Sequence, residues 1–353
     1  MRLRFRASRS AVVVLAAAAI GLAGCAGSEP EPLEPEVVTE TPEQSVDKTH
    51  APDPQIEEAW PLTGVAGEVA ARDVMSVKVE NSVAARPQTG LQSADIVWEE
   101  MIEGGETRLL AVYHSTVPET IGPIRSLRPM DIPLATPFGG QLIFSGAQRA
   151  FLDAAHASPL QILTNDAGAA GFYRSADRRA PHNVYGNTAD FIAQGSGDED
   201  VEAAFSYAPE PEFATAVAEG EPTGSLQLSF PNTSPSWTWA TDADAWLRSE
   251  AGADAMTTDE GRVSAVNVLV LRVEVRTTSY TDPSGSPVPE SVVTGSGEAI
   301  IATGGHTVSG TWSKDADDAH VQLRTEDGDE VLLAAGNTWV ELLPVSGSSV
   351  SLN

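Results

Sequence analysis

A single cysteine, Cys25, stands among 353 residues, and it limits the fold before any other feature does. No intramolecular disulfide can form, so whatever the chain folds into must be held by its apolar core alone. The length after residue 25 is ample for that, since chains of this size bury roughly 70% or more of the surface their unfolded form exposes.

The surroundings of the cysteine set where that folding takes place. Arg2, Arg4, Arg6 and Arg9 precede an apolar run from Ala11 to Ala23. This is the order of a secretory signal: charged start, apolar middle, small residues at the cut. The run is about 13 residues long where a spanning helix needs about 20, so a transmembrane helix is not expected. Leu22-Ala23-Gly24-Cys25 matches the bacterial lipobox. That resemblance implies diacylglycerol on the Cys25 sulfur, cleavage before it, and often acylation of the new amino terminus. Two or more acyl chains hold a protein at a membrane stably where one does so only marginally. Residues 1–24 are therefore expected to be a lipoprotein signal peptide. The rest is expected to sit in the cell envelope, lipid-anchored at the outer face of the cytoplasmic membrane.

The sequence carries 21 basic and 50 acidic residues. Residues 1–24 hold four arginines and no acid, so a chain beginning at Cys25 has 17 basic residues against 50 acidic, a net −33. Such a surface repels nucleic acid and anionic lipid headgroups, so nucleic acid is excluded as a partner and the anchor has to do the attaching. Residues 25–59, with Pro30, Pro32, Pro35, Pro42, Pro52 and Pro54 among Glu and Thr, have almost no apolar periodicity and read as a disordered acidic tether.

From Trp60 the pattern becomes that of a folded chain. Strands are expected at 74–80, 94–102, 107–115, 141–146 and 160–164. Glu103-Gly104-Gly105-Glu106 should turn the second into the third. Helices are expected at 147–157 and, broken by prolines, at 127–136. Strands alternating with helices imply an α/β class, an N-terminal α/β sandwich over 60–195. Residues 196–224 read as a linker with one short helix. Residues 225–353 read as a mainly β C-terminal module, with glycine turns in "TGGHT" and "EDGDE".

Several segments in this order resemble the YerB-like family of bacterial lipoproteins, a family of unknown function with N- and C-terminal modules. They are "ENSVAARPQTGLQSADIVWEEMIEGGETRLLAVY", "PETIGPIRSLRP", "RRAPHNVYGN", "VNVLVLRVEV", "SGTWSK" and "NTWVELLP". The resemblance implies a two-module extracytoplasmic lipoprotein and supplies no reaction. The family often shows Tyr-x-Arg where this chain has Trp246-Leu247-Arg248, so no tyrosine hydroxyl is available there. A looser similarity, strand–strand–arginine loop, is to the LytR-CpsA-Psr envelope phosphotransferases.

Chemistry concentrates in the arginines. Seven of the 14 that follow Cys25 fall between Arg108 and Arg179, and "GPIRSLRP" sets Arg125 three residues before Arg128. Guanidinium forks match carboxylate and phosphate bidentately. Arg108, Arg125 and Arg128 are therefore candidate anion-binding residues; the opposing reading pairs them with Glu99, Glu100, Glu103 or Asp131 as structural salt bridges. "RRAPHNVYGN" adds His182, Asn183 and Tyr185 beside a proline. His182 has the chemistry of a general acid or base, or of a capped turn. The histidines have no ligand spacing, so no metal and no cofactor is expected. Ser145 at a strand end is a nucleophile candidate without an evident partner. The function expected is binding of an anionic cell-envelope component or a partner protein. The alternative is an envelope phosphotransferase or hydrolase acting on a phosphorylated lipid-linked glycan. No nucleophile stands beside the arginines, which favours the non-enzymatic reading.

Overall fold

A computed structural model describes residues 58–197 and 200–353. The stretch expected to be a signal peptide, Cys25 and nearly all of the expected tether lie outside the described residues.

The frame is an 11-stranded mixed sheet. Its centre holds β1 (Met75–Glu80), β2 (Ile96–Met101) and β3 (Thr107–Tyr113). β3 runs antiparallel between the other two, and Glu103 to Glu106 make the β2–β3 turn, with Gly104 and Gly105 at φ 73° and 75°. Beyond β1 come Gln141–Phe144 and Gln161–Thr164, both parallel. On the far side β2 pairs in parallel with Thr338–Pro344, which in turn pairs with Asn267–Val273, then Gly295–Thr303 and His306–Lys314. The last two are joined through Gly304 and Gly305, both at positive φ. One sheet thus contains strands from both regions that the sequence separates.

Both faces of the sheet's centre are buried, and most residues of its central strands are apolar, as in covered strands. One face, with Trp98, Leu110 and Val112, packs against Leu134, Phe138 and Phe151 of short helical segments. The other face, with Val77, Val79, Val97 and Leu109, packs against Leu226, Trp237 and Trp246. Those three belong to a second sheet built on Ser225–Ser229, Pro235–Ala240 and Ala245–Glu250. The chain is mostly β with mixed sheets. The α/β sandwich expected of 60–195 is met only in its coarse mixture of strands and helices. The helices Asp131–Ala135, Arg149–Ala157 and Thr188–Ile192 are short, and the sheet's second face is covered largely by strands.

The stretch read as a linker is tied down. Ser206–Tyr207 pairs with Leu332–Leu333, the Tyr207 hydroxyl donates to the Leu62 carbonyl at 2.6 Å, and Glu221–Pro222 adds to the sheet edge. The short helix expected there is Thr215–Glu219.

Candidate functional site

β1 reads Met-Ser-Val-Lys-Val-Glu. Period-2 alternation sends Ser76, Lys78 and Glu80 to one face and Met75, Val77 and Val79 to the other. On an ordinary surface strand the polar set would meet water; here it is buried. β2 carries Trp98-Glu99-Glu100 before its last residue Met101, so Glu99 and Glu100 point to opposite faces of the same sheet. In register, Glu100 and Glu80 both stand opposite Arg108 of β3, and Glu99 stands opposite Glu341 of Thr338–Pro344. The sheet's centre therefore carries charge clusters on both faces.

The first cluster gathers the arginines named from sequence. Lys78 donates to Asp131 at 2.7 Å and also to Glu100, and all three side chains are fully buried. Two acids share one ammonium. Burial first, then the neighbouring Asp131, pushes the Glu100 carboxyl up to about 8. Arg128 clamps Glu103 through Nε and Nη2 at 3.1 and 2.7 Å and spends Nη1 on the Leu127 and Ser126 carbonyls. Arg125 reaches Glu80 Oε1 at 3.3 Å and the Pro181 carbonyl at 3.2 Å. His182 Nδ1 lies 2.8 Å from the same Glu80 oxygen.

Arg108 differs from its neighbours. It is 7% exposed, gives Nη1 to the Ser126 carbonyl at 3.0 Å, and its buried Nε has no partner. Among the described residues no carboxylate forms an ion pair with it; the pairs nearby belong to Arg125 and Arg128. Burial, then the like charges of Arg128 and Arg125, holds its guanidinium down to about 10. Arg108, Arg125 and Arg128 are thus brought together, and His182 joins them through Glu80.

Asn183 and Tyr185 are not in that cluster. The Asn183 side chain accepts from Arg174 at 2.9 Å and donates to the Ser175 carbonyl at 3.3 Å. Tyr185 lies opposite Tyr173 in a small sheet of Thr120–Ile121, Val184–Asn187 and Phe172–Arg174. A Cβ on Gly122 would lie 2.5 Å from the Tyr185 ring, so only glycine admits that packing. Tyr185 and His182 share a cleft that also holds Arg86, Arg178 and Arg179. Ser145 gives its amide to the Arg125 carbonyl at 3.0 Å, and among the described residues neither histidine nor carboxylate bonds to its hydroxyl.

The second cluster surrounds Arg248. Its guanidinium meets Glu99 at 2.5 Å, Glu250 at 2.6 Å and Glu341 at 2.8 Å, and lies 4.4 Å from the Trp339 ring and 5.2 Å from the Trp237 ring. The Trp237 indole also donates to Glu341 at 2.8 Å, while Asn81 and Thr107 donate to Glu99 at 3.2 and 2.7 Å. Burial pushes the Glu99 carboxyl up to about 8 against the pull of Arg248. Arg86 touches the outer edge of this cluster, 3.2 Å from Glu250. Sequence reasoning missed Lys78, Glu80, Glu250 and Glu341. For Glu341 the available signal was a lone charge inside an otherwise apolar strand, "WVELL".

The N-terminal domain of a family described as "Protein of unknown function (DUF3048)" matches residues 62–202, and its C-terminal domain matches residues 226–340. A Bacillus subtilis (strain 168) protein named "Putative lipoprotein YerB" is 38% identical over 130 residues. The matched stretch is 35% of this chain and 39% of that protein. The crystal structure of YerB protein from Bacillus subtilis superposes with a TM-score of 0.71 at 21% identity, covering 84% of this chain and 100% of that one. At that identity the superposition speaks for a shared fold alone.

Proposed function

The chain belongs to the DUF3048 family, whose description names no activity, and from its own geometry we propose a lipid-anchored extracytoplasmic protein that binds an anionic component of the cell envelope at Arg108 and Arg125. One observation carries the reading. A buried arginine without an ion-pair partner sits beside two further guanidiniums, and all three repel one another. Desolvating a guanidinium without pairing it is costly, and a phosphate or carboxylate between Arg108 and Arg125 would relieve both the desolvation and the repulsion. Arg128 is saturated by Glu103 and serves to hold the loop. His182 stands at the rim, 28% exposed, positioned by Glu80. The lipobox at Cys25 and the lipoprotein name of the relative support the anchor.

Two experiments test this. Cys25→Ala should move the protein from the membrane to the soluble extracellular fraction; unchanged fractionation with membranes refutes the anchor. Melting curves of wild type and Arg125→Ala, with and without inorganic polyphosphate or cell-wall extract, test the site. Each charge-assisted bond contributes about 1.5–3 kcal/mol, so losing this arginine should weaken binding about tenfold to a hundredfold. Absence of any ligand-dependent rise in the wild-type melting temperature would sink the binding reading.

A further inference from the structure

We infer that the cleft next to the arginine cluster, with Tyr173 as its platform, is a binding site for a hydroxyl-rich sugar chain. The cleft has a volume of about 950 Å³, near the top of the usual range for small-molecule sites of about 300–1,000 Å³. That is room for more than one sugar ring. Three features of its wall point to this chemistry.

The first is an aromatic ring left in the open. Tyr173 lines the cleft and is 43% exposed, while its cross-strand partner Tyr185 is 6% exposed. Their rings stack at 6.0 Å with 29° between planes. Tyr185 is buried and fixed from below by the Gly122 packing, so the outer ring rests on a held inner one. Aromatic faces carry negative charge density, and the axial C–H bonds on one side of a sugar ring, slightly positive and apolar, lie flat against them.

The second is charge balance. Arg86, Arg178 and Arg179 face the cleft together with Glu119, Asp177 and Asp259. Equal numbers of each sign give no net field for a polyanion. They do give fixed donors beside fixed acceptors, and hydroxyl groups, each both donor and acceptor, use the two kinds at once.

The third is rigidity of the wall. Arg178 donates to the Ala84 and Arg86 carbonyls at 3.0 and 3.4 Å, and to Pro87. The loop on the far side is thereby held, and little ordering cost remains for a ligand to meet.

This inference names the chemical class of the component whose acid group the arginines would take, and rests on the anion reading for that group alone. His182 lines the cleft and touches Glu80, which also holds Arg125, so the two sites are neighbours. The test uses the full chain in detergent on an array of neutral and acidic bacterial-type oligosaccharides, with polyphosphate binding measured separately. The wild type should retain oligosaccharides. Tyr173→Ala should lose about tenfold in that affinity, Tyr173→Phe should keep it, and neither should change polyphosphate binding. Arg125→Ala should show the converse. Tyr173 is a surface residue, so its loss leaves the core intact, and a melting curve checks this. A wild type that retains no oligosaccharide, or a Tyr173→Ala variant that binds sugars as the wild type does, overturns the inference. Sugar retention without any polyphosphate binding would instead remove the anion reading and leave this one standing.

Discussion

Glu99 and Glu100 are consecutive residues on opposite faces of one strand, and they keep different company. Glu99 belongs to a closed arrangement: one arginine between two tryptophan rings, ringed by three carboxylates, with each guanidinium nitrogen bonded. Glu100 belongs to an open one, where Arg108 keeps an unpartnered Nε and Glu80, Glu100 and Glu103 each keep an unpartnered carboxylate oxygen. Burial alone therefore does not separate structural charge from charge available to a ligand. The separation lies in whether the donors are used up. The Arg248 cluster ties the second sheet to the first; in the arginine cluster the unpartnered Arg108 Nε is the donor that the proposed anion would take.

Removing the cation tests the closed arrangement most severely. Arg248→Met would leave the buried Glu99 and Glu341 without a counter-charge, with Arg86 remaining beside Glu250. Breaking a single buried pair costs about 3–5 kcal/mol, and this variant should lie at or above the upper end. Thermal melts should show it unfolded or nearly so at neutral pH and partly rescued near pH 5, where the acids can take protons. A melting temperature within a few degrees of wild type would mean the cluster contributes little. Lys78→Met asks the same question on the other face. Two acids would be left facing each other, one able to hold a proton, so a smaller loss of about 3 kcal/mol is expected by chemical denaturation.

The acids themselves give an effect of intermediate size. Glu99 and Glu100, with folded values near 8 against an ordinary 4.5, bind protons more tightly in the folded state than in the unfolded one. Stability from them is complete below the ordinary value and falls as pH rises through about 8. His114 opposes this at low pH. Burial and then Arg72 lower it to about 4, so its contribution grows as pH rises towards 6.5. The clean window is thus above pH 6.5. There Glu99→Gln should flatten the decline in stability by up to about 1.4 kcal/mol per pH unit. Parallel wild-type and variant curves would count against the raised value. The smallest effect on stability should come from Arg125→Ala. Its side chain is 21% exposed and its pair with Glu80 is long, so less than about 1 kcal/mol is expected by thermal melt. A larger loss would place Arg125 with Arg248 as a structural cation.

Much of the sheet was legible. Apolar runs bounded by glycine turns located β1 to β3 and both parallel strands beyond β1, and the region after residue 225 was legible as mainly β. Pro235–Ala240 and Ala245–Glu250 were not read, because each mixes buried tryptophan with polar residues on the outward face and one begins at a proline. Of the candidate site, the arginines and His182 were legible as an unusual gathering in an acidic chain. Their partners were not, because Lys78 and Glu80 look like the wet face of an alternating strand. Only the three-dimensional cover, invisible in periodicity, makes them buried. Asn183 and Tyr185 stand close to His182 in sequence yet bond elsewhere, because the turn at 181–183 sends the Asn183 side chain to Arg174 and Ser175 and the strand Val184–Asn187 sets Tyr185 beside Tyr173.

The position of Thr338–Pro344 has a consequence for the order in which the molecule can assemble. Ile96 finds its parallel partner at Thr338, so the middle of the sheet is supplied by a segment made long after β2. Until that segment arrives, β2 has one bare edge and Asn267–Val273 another, and neither half can finish its core. Loop closure over such spans makes folding slow. A chain delivered amino end first stays unfinished at its centre until Thr338–Pro344 emerges to join β2 to Asn267–Val273.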